Sequence, residues 1–401
     1  MNKPLRIACF SPLDCVHTWR WLDHLHSRGH EMYVFTGTAT GFTRWTDTTR
    51  IGLRRTPAAA QPPRKYPSWL RVVRPLYREI RHLSSVPARR QDCRVVQRLI
   101  THLRPDIIHA QWLRLDAILA SWLHGWPLVL TAWGSDIRQF DQLPRLYRHY
   151  LRRALRTAAA VTAGSQELLQ LCQTYGATPD RCYLLGVPGI SIAQFRDVAR
   201  SPLHEQLGLS PSQRILLSCR AVRYFYRIEL IIRAFAIIAS QYLDCVLVII
   251  RFNEDPEYYA RIRAVITELR LNDVVRLIPT LPYEQMAAVY HSSAAVISVP
   301  ERDGLPQSVY EAFAANCPVI ASDLTTYDGV ITHEISGLRV PGNDPRLLAA
   351  AIERVLTDTQ LCVTLRANGQ KIVRARGDIV NEMRKLETLY RSLKEQPLYH
   401  D

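Results

Sequence analysis

The sequence predicts an α/β chain of two doubly wound domains facing each other across a central cleft. Three observations predict it. The 401 residues exceed what one ordinary core accommodates and suit two domains of about 200 residues each. Short apolar runs alternate with helix-length amphipathic stretches along both halves, the pattern of parallel sheets covered on both faces. Ser, Pro and Gly collect near Phe195–Pro211, where one alternation ends and a second begins.

The elements follow in order. Leu5–Phe10 reads as a strand, Val16–Ser27 as a helix, Arg28-Gly29-His30 as a turn and Glu31–Phe35 as the next strand. Residues 37–100, rich in Pro, Arg and Thr, break the rhythm; they predict a loop and amphipathic helices outside the sheet core. Strands resume at Asp106–Ala110, Leu128–Ala132, Ala160–Ala163 and Cys182–Leu185, with helices such as Leu115–His124 and Leu143–Arg156 between them. The second half repeats the scheme. Its strands are Ile215–Ser218, Val246–Ile250, Val274–Ile278, Ala295–Ser298 and Pro318–Ala321. Its helices are Ile228–Ser240, Pro256–Leu269, Tyr283–His291 and Ser308–Ala315. Open α/β sheets bind ligands at the carboxyl ends of their strands, so the chemistry is expected there.

Composition excludes several classes. The hydrophobic share of 47% is too high for a disordered chain. No apolar run reaches the roughly 18–20 residues that span a bilayer, and Met1–Phe10 lacks the features of a signal peptide. The nine cysteines are scattered without a CxxC pair, which argues against a disulfide framework or a zinc site and fits a reducing, cytoplasmic compartment. The charge is uneven. Residues 1–200 carry 29 Lys/Arg against 13 Asp/Glu, and residues 201–401 carry 22 against 23, so the whole excess lies in the first half. Residues 50–104 alone hold 14 Lys/Arg against Glu79 and Asp92. A basic first domain suits an acidic partner: a membrane surface, a phosphorylated substrate or nucleic acid. The mixture of Arg with Trp, Leu, Val and Ile from Arg64 to Leu83 suits a helix lying on an anionic membrane. No nucleic-acid motif accompanies the charge, so no nucleic acid is expected.

The most informative stretch is Val296–Pro300, then Glu301 to Glu311, then Ala312–Ala315 and Cys317–Ser322: strand, loop, helix, strand. A helix N-terminus offers unpaired N–H groups and a positive dipole end, which suit a diphosphate. Asp303 lies in the loop and Glu311 about two turns into the helix, on nearly the same face. Two carboxylates so placed suit hydrogen bonds to sugar hydroxyls along an elongated ligand. Taken alone the pair also fits a helix cap and a solvated helix residue. The small, apolar run after Glu311 argues that this face packs.

This stretch resembles the E-x7-E motif of retaining GT-B glycosyltransferases, family 4 in particular, with Asp303 for the first Glu and Asn316 for the usual Gly. The resemblance runs along nearly the whole chain: Arg28–Glu31, Pro105–Ala110, Leu130–Asp136, Gly189 to Phe195, and Gly337-Leu338 with Asp344. It implies two Rossmann-like domains: an acceptor-side domain of residues 1–198, onto which residues 379–401 pack back as a helix, and a donor-binding domain of residues 199–378. It implies that Asp303 contacts donor-sugar hydroxyls and Glu311 the nucleotide ribose. The amides of Gly304, Leu305, Pro306 and Gln307 would approach the sugar and phosphates, with Ser308 completing the donor-binding set. Gly134 and Ser135 would line the acceptor side. Asp136 would orient the acceptor or touch the transferring sugar, although an N-cap role fits it equally. His109 is a further candidate, with a structural role as its alternative; Gln111 stands where relatives often carry a second His.

Two departures bear on the donor phosphates. Arg220 matches the family's Arg, but Tyr226 stands where Lys aligns, leaving Arg223 or Arg227 as the second phosphate ligand; Arg holds phosphate bidentately. Arg251-Phe252 replaces a Gly-x-Gly that gives the nucleotide room. The expected activity is metal-independent, retaining transfer of a hexosyl group. The donor is a UDP-, GDP- or ADP-sugar, used as co-substrate without a cofactor. The acceptor is a glycan or lipid-linked molecule in surface polysaccharide or glycolipid synthesis, and the site is the cytoplasmic face of the plasma membrane. The alternative is a non-catalytic binding subunit of the same shape.

Overall fold

The computed structural model describes residues 3–11, 16–35, 43–44, 93–185, 189–196, 203–304 and 307–396. It divides into two compact units: Met1–Pro188 with Glu382–Asp401, and Gly189–Asn381. The first boundary precedes the expected one at 198/199. The reason is local: Ile190 already pairs with Asp378, its N–H donating to Gly377 O at 2.7 Å while Ile379 N donates to Ile190 O at 2.9 Å.

Among the described residues unit 1 carries seven strands in the order β3-β2-β1-β4-β5-β6-β7. They are β1 (Arg6–Phe10), β2 (Glu31–Phe35), β3 (Thr43–Arg44), β4 (Ile107–Gln111), β5 (Leu128–Ala132), β6 (Ala160–Ala163) and β7 (Cys182–Leu184). All neighbours are parallel except β3, a two-residue antiparallel edge strand that the sequence did not predict. Helices α1 (Val16–Ser27), α2 (residues 93–103), α3 (Leu115–Ala120), α4 (Ser135–Arg138), α5 (Arg145–Thr157) and α6 (Gln166–Thr174) connect them. Helix α3 stops short of the expected His124, because Trp122 N turns back to Leu119 O and Leu123 N to Ala120 O. Most of the predicted loop-and-helix region, including Arg64 to Leu83, lies outside the described residues. β1, β4 and β5 are buried along nearly their whole length, as strands covered on both faces must be.

Unit 2 carries six parallel strands in the order β10-β9-β8-β11-β12-β13. These are β8 (Arg214–Ser218), β9 (Cys245–Arg251), β10 (Val275–Pro279), β11 (Ser293–Ser298), β12 (Val319–Ser322) and β13 (Leu338–Val340). Its helices are α7 (Ala193–Arg196), α8 (Leu203–Gln206), α9 (Ile228–Ile238), α10 (Pro256–Glu268), α11 (Tyr283–His291), α12 (Gln307–Ala314), α13 (Pro345–Thr357) and α14 (Thr359–Arg376). Asp255-Pro256 and Asp344-Pro345 open α10 and α13: each Asp side chain caps the helix and each Pro occupies its first position, where no donor is needed. The core lies on both sheet faces. Ile231, Phe235, Leu247, Ile249 and Ile352 fill one side; Val246, Val248, Val309, Phe313 and Ile331 fill the other.

The last helix, α15 (Ile379–Glu395), begins in unit 2 and belongs to unit 1 from Glu382 onward. Within unit 1 its Glu387 binds Arg28, Tyr390 reaches His109, Arg391 donates to Lys3 O and Lys394 pairs with Asp106 at 2.8 Å. No helix among the described residues is long and apolar enough to cross a membrane.

Candidate active site

In unit 2 the chain runs β8, β9, β10 outward and then returns to place β11 on the other side of β8. The carboxyl ends of β8 and β11 therefore flank the point where strand order reverses, the usual ligand crevice of an open α/β sheet. Arg220 follows β8 and Asp303 follows β11. They form a buried ion pair at 2.9 Å, with side chains 10% and 9% exposed. The second arm of Arg220, Nη1, donates to Ser308 Oγ at 3.0 Å in the first turn of α12. The guanidinium lies over the Tyr226 ring, 4.5 Å from its centroid. The position expected to hold a Lys thus supplies an aromatic face on which the neighbouring Arg rests. Burial opposes the Arg220 charge, but Asp303, with Tyr226 and Tyr327, outweighs it and holds Arg220 well above its ordinary value.

The Asp303 carboxylate is itself held. Tyr327, fully buried in the turn after β12, donates from its hydroxyl to Oδ2 at 2.8 Å. The Gly304 N–H donates to Oδ1 at 2.9 Å, so this amide is already committed. Gly304 O accepts from Thr326 Oγ1 at 3.1 Å, and Pro300 O from Ser322 Oγ at 2.6 Å, which ties the loop to the end of β12. Glu311 is buried on α12, as the apolar run after it suggested. Its Oε2 accepts from the Tyr290 hydroxyl at 2.9 Å, and Tyr290 lies 3.3 Å from the Cys219 thiol beside Arg220. Burial, with Cys219 and Glu311 nearby, raises Tyr290 well above the usual phenol value. Burial and Asp303 do the same for Tyr327. Both phenols remain donors across the physiological range.

The structure separates the other donor-side candidates. Arg223 is pinned to Asn253, its Nε on the carbonyl at 3.0 Å and its Nη2 on the side chain at 2.9 Å. Arg227 donates to Gly342 O at 2.7 Å and approaches Glu301 at 4.0 Å. Neither joins Arg220 in this arrangement, because each is already held by another loop. Gln307 opens α12, while Leu305 and Pro306 lie outside the described residues. The bulky Arg251 folds onto Tyr259, 4.4 Å from its centroid, and pairs with Glu254 at 2.9 Å; Phe252 is half exposed.

In unit 1 the predicted contacts change character. Asp136 is fully buried, and its two oxygens accept from the N–H groups of Leu113, Trp133, Gly134 and Ile137 at 2.7–3.1 Å. A carboxylate so placed ties Leu113 to the turn after β5. Gly134 has φ of +124°, a backbone conformation that only glycine adopts readily. Ser135 opens α4, and its carbonyl accepts from Arg114 at 3.2 Å. His109 is buried with both ring nitrogens engaged, Nδ1 with the Tyr390 hydroxyl at 2.5 Å and Nε2 with Thr131 Oγ1 at 2.7 Å. Burial drops its pKa to about 3, so the ring is neutral at physiological pH.

Sequence reasoning noted Tyr226 only as a replacement for Lys and missed Tyr290 and Tyr327. Tyr290 reaches Glu311 and Tyr327 reaches Asp303 from other elements, and no local spacing announces such a pairing.

Comparisons with known proteins bear on the family and the fold. The description "Glycosyl transferases group 1" matches residues 200–372, and "Glycosyl transferase 4-like domain" matches residues 16–187. D-inositol 3-phosphate glycosyltransferase 1 of Catenulispora acidiphila is 24% identical over 317 residues, covering 72% of this chain and 75% of the relative. The enzyme of that name from Thermobispora bispora is 26% identical over 218 residues, and there the match spans 53% of this chain and 50% of the relative. Among solved structures, a glycosyltransferase from Rickettsia africae covers 99% of this chain and 100% of its own, with a TM-score of 0.75 at 15% identity. Anabaena HepE in complex with UDP and glucose covers 97% of this chain and 100% of its own, with a TM-score of 0.71 at 16% identity. The two family matches together take in most of both units, and the chain belongs to the group 1 family of GT-B glycosyltransferases.

Proposed function

We propose that this glycosyltransferase is a retaining, metal-independent enzyme. It moves a hexosyl group from a nucleotide-sugar to a glycan or lipid-linked acceptor in surface polysaccharide or glycolipid synthesis. The reading rests above all on the Arg220–Asp303–Ser308 cluster at the strand-order reversal of unit 2, with Glu311 buried on the helix that follows. Arg220 is the cation for the donor diphosphate, whose charge grows as the bond to the sugar breaks. Preorganised charge at such a point is worth more than in water. Asp303 and Glu311 hold the sugar and ribose hydroxyls, and the leaving phosphate takes the acceptor proton. Asp136 acts by fixing the turn that carries Gly134 and Ser135.

The basic excess of residues 1–200 suits a phosphorylated or membrane-borne acceptor, and the inositol phosphate named for two relatives is an acceptor of that charge. Attachment to the inner face of the plasma membrane through residues 50–104 is part of this proposal. A thermal-shift panel of UDP-, GDP- and ADP-sugars tests it. One donor should raise the melting temperature by linkage, and Glu311→Ala should abolish turnover while the fold persists. Anomeric NMR of the product should show retained configuration, and EDTA should leave the rate unchanged. Silence across the panel would favour the non-catalytic binding subunit, whose supporting observation is Tyr226 in place of the second phosphate cation.

A further inference from the structure

Each carboxylate of the site has one oxygen engaged by a tyrosine from outside its own loop and helix. Tyr327 donates to Asp303 Oδ2 at 2.8 Å and Tyr290 to Glu311 Oε2 at 2.9 Å. The two tyrosines come from different elements, the turn after β12 and the helix α11, yet the arrangement is the same at both ends of the site. Both side chains are essentially without solvent exposure, so neither is placed to touch a ligand. Their packing is specific. Tyr290 sits 6.1 Å from Phe195 ring to ring and meets the Cys219 thiol at 3.3 Å. With the Tyr290 proton given to Glu311, that thiol donates to the phenol oxygen. The opposite oxygen of Asp303 is shared between Arg220 and the Gly304 amide.

The geometry points to Tyr290 and Tyr327 as a pair of positioning residues that set the orientation of Glu311 and Asp303 toward the nucleotide-sugar. The inference rests on the donor-site reading above and assigns the two tyrosines different effects. Tyr290 fixes the carboxylate that meets the ribose, a contact made equally before and during transfer, so its hydroxyl governs the donor KM. Tyr327 fixes the carboxylate that anchors Arg220, the group facing the charge that develops on the diphosphate, so its hydroxyl governs kcat. A contact made equally in ground and transition state changes KM, and one that tightens in the transition state changes kcat.

The test is steady-state kinetics of the full chain and of Tyr290→Phe and Tyr327→Phe, with the donor found in the nucleotide-sugar panel. Phe keeps the packing and removes only the hydroxyl. Y290F should raise the donor KM by roughly tenfold with kcat within about twofold. Y327F should lower kcat by roughly tenfold with KM little changed, the order expected for a hydrogen bond to a charged group. Wild-type KM and kcat in both variants, or equal loss of both parameters together with a lowered melting temperature, would overturn the inference and leave the donor reading standing. An active wild type is what separates the two claims. If the wild type turns over no donor, the transfer reading fails. Calorimetric titration with UDP, GDP and ADP then decides the inference: roughly tenfold weaker binding to Y290F supports it, and equal binding, or none to the wild type, overturns it.

Discussion

Replacing Arg220 by Met keeps an unbranched apolar stem and removes the guanidinium, leaving Asp303 buried with its main counter-ion gone. The charge centres of such a pair lie about 4 Å apart, where an effective dielectric of about 20 gives roughly 4 kcal/mol of attraction. Removing one member of a buried pair typically costs about 3–5 kcal/mol, because the other is stranded. Tyr327 and the Gly304 amide still hold the Asp303 carboxylate, so the lower end applies. Unit 2 is of a size at which 1 kcal/mol moves the melting temperature by about 2–4 °C, so a loss of about 3 kcal/mol lowers its transition by about 6–12 °C. The assay is differential scanning calorimetry of the full chain, reading the unit 2 transition in Arg220→Met, Asp303→Leu and the double variant. The double variant should recover much of the loss, since no buried charge is left unpaired. Shifts below about 2 °C in both single variants, or strict additivity in the double, would refute the reasoning.

Further outcomes follow from individual environments. Burial holds His109 near a pKa of about 3, against about 6.5 in an unfolded chain, so the unfolded state takes up the proton first. Its contribution is complete above about pH 6.5 and is lost as pH falls toward 3; urea titrations should show the wild type losing up to about 1.4 kcal/mol per pH unit more than His109→Gln there. Asp116 behaves oppositely: burial raises it to about 6, so a penalty sets in as pH rises from about 4 to 6 and persists above. Asp116→Asn should therefore stabilise unit 1 by about 3 kcal/mol at pH 7.5 and by little at pH 4, measured the same way. Gly189 has φ of +71° and an added Cβ would lie 2.9 Å from Gly377 O and from Ile379. Gly189→Ala should cost about 3 kcal/mol through combined strain and clash, read as a lowered melting temperature of unit 2. Asp136→Ala strands four backbone donors and should destabilise unit 1 by about 3 kcal/mol or more, seen as lost amide-exchange protection at Trp133 to Ile137.

Much of the fold was legible because parallel strands buried on both faces leave an unmistakable record. Val246–Ile250 and Leu128–Ala132 are apolar at every position or nearly so, and each has turned out to be an interior strand paired on both sides. The two-residue β3 and three-residue β13 were not legible, since so few residues carry no periodicity. The clamp was readable because Asp303 and Glu311 belong to one local segment. What holds it was not. Tyr290 lies 21 residues before Glu311 and Tyr327 lies 24 after Asp303, and only the folded sheet brings them together. His109 and Asp136 show the opposite limit. Their residue types suit chemistry, and only the folded chain shows which groups they bind: Tyr390 and Thr131 for His109, four backbone N–H groups for Asp136.

The return of α15 to unit 1 has a consequence for how the protein comes into being. Asp106, Arg28 and His109 of unit 1 receive Lys394, Glu387 and Tyr390, which are translated only after the whole of unit 2. The sheet of unit 1 is translated first, but its buried histidine lacks its hydroxyl partner until unit 2 has been made. Unit 2 has all its strands, and the Ile190–Asp378 pairing that joins its two ends, before α15 is made. The domain translated second is therefore the first that can be complete, and truncation within the last turns of α15 should damage the opposite end of the sequence.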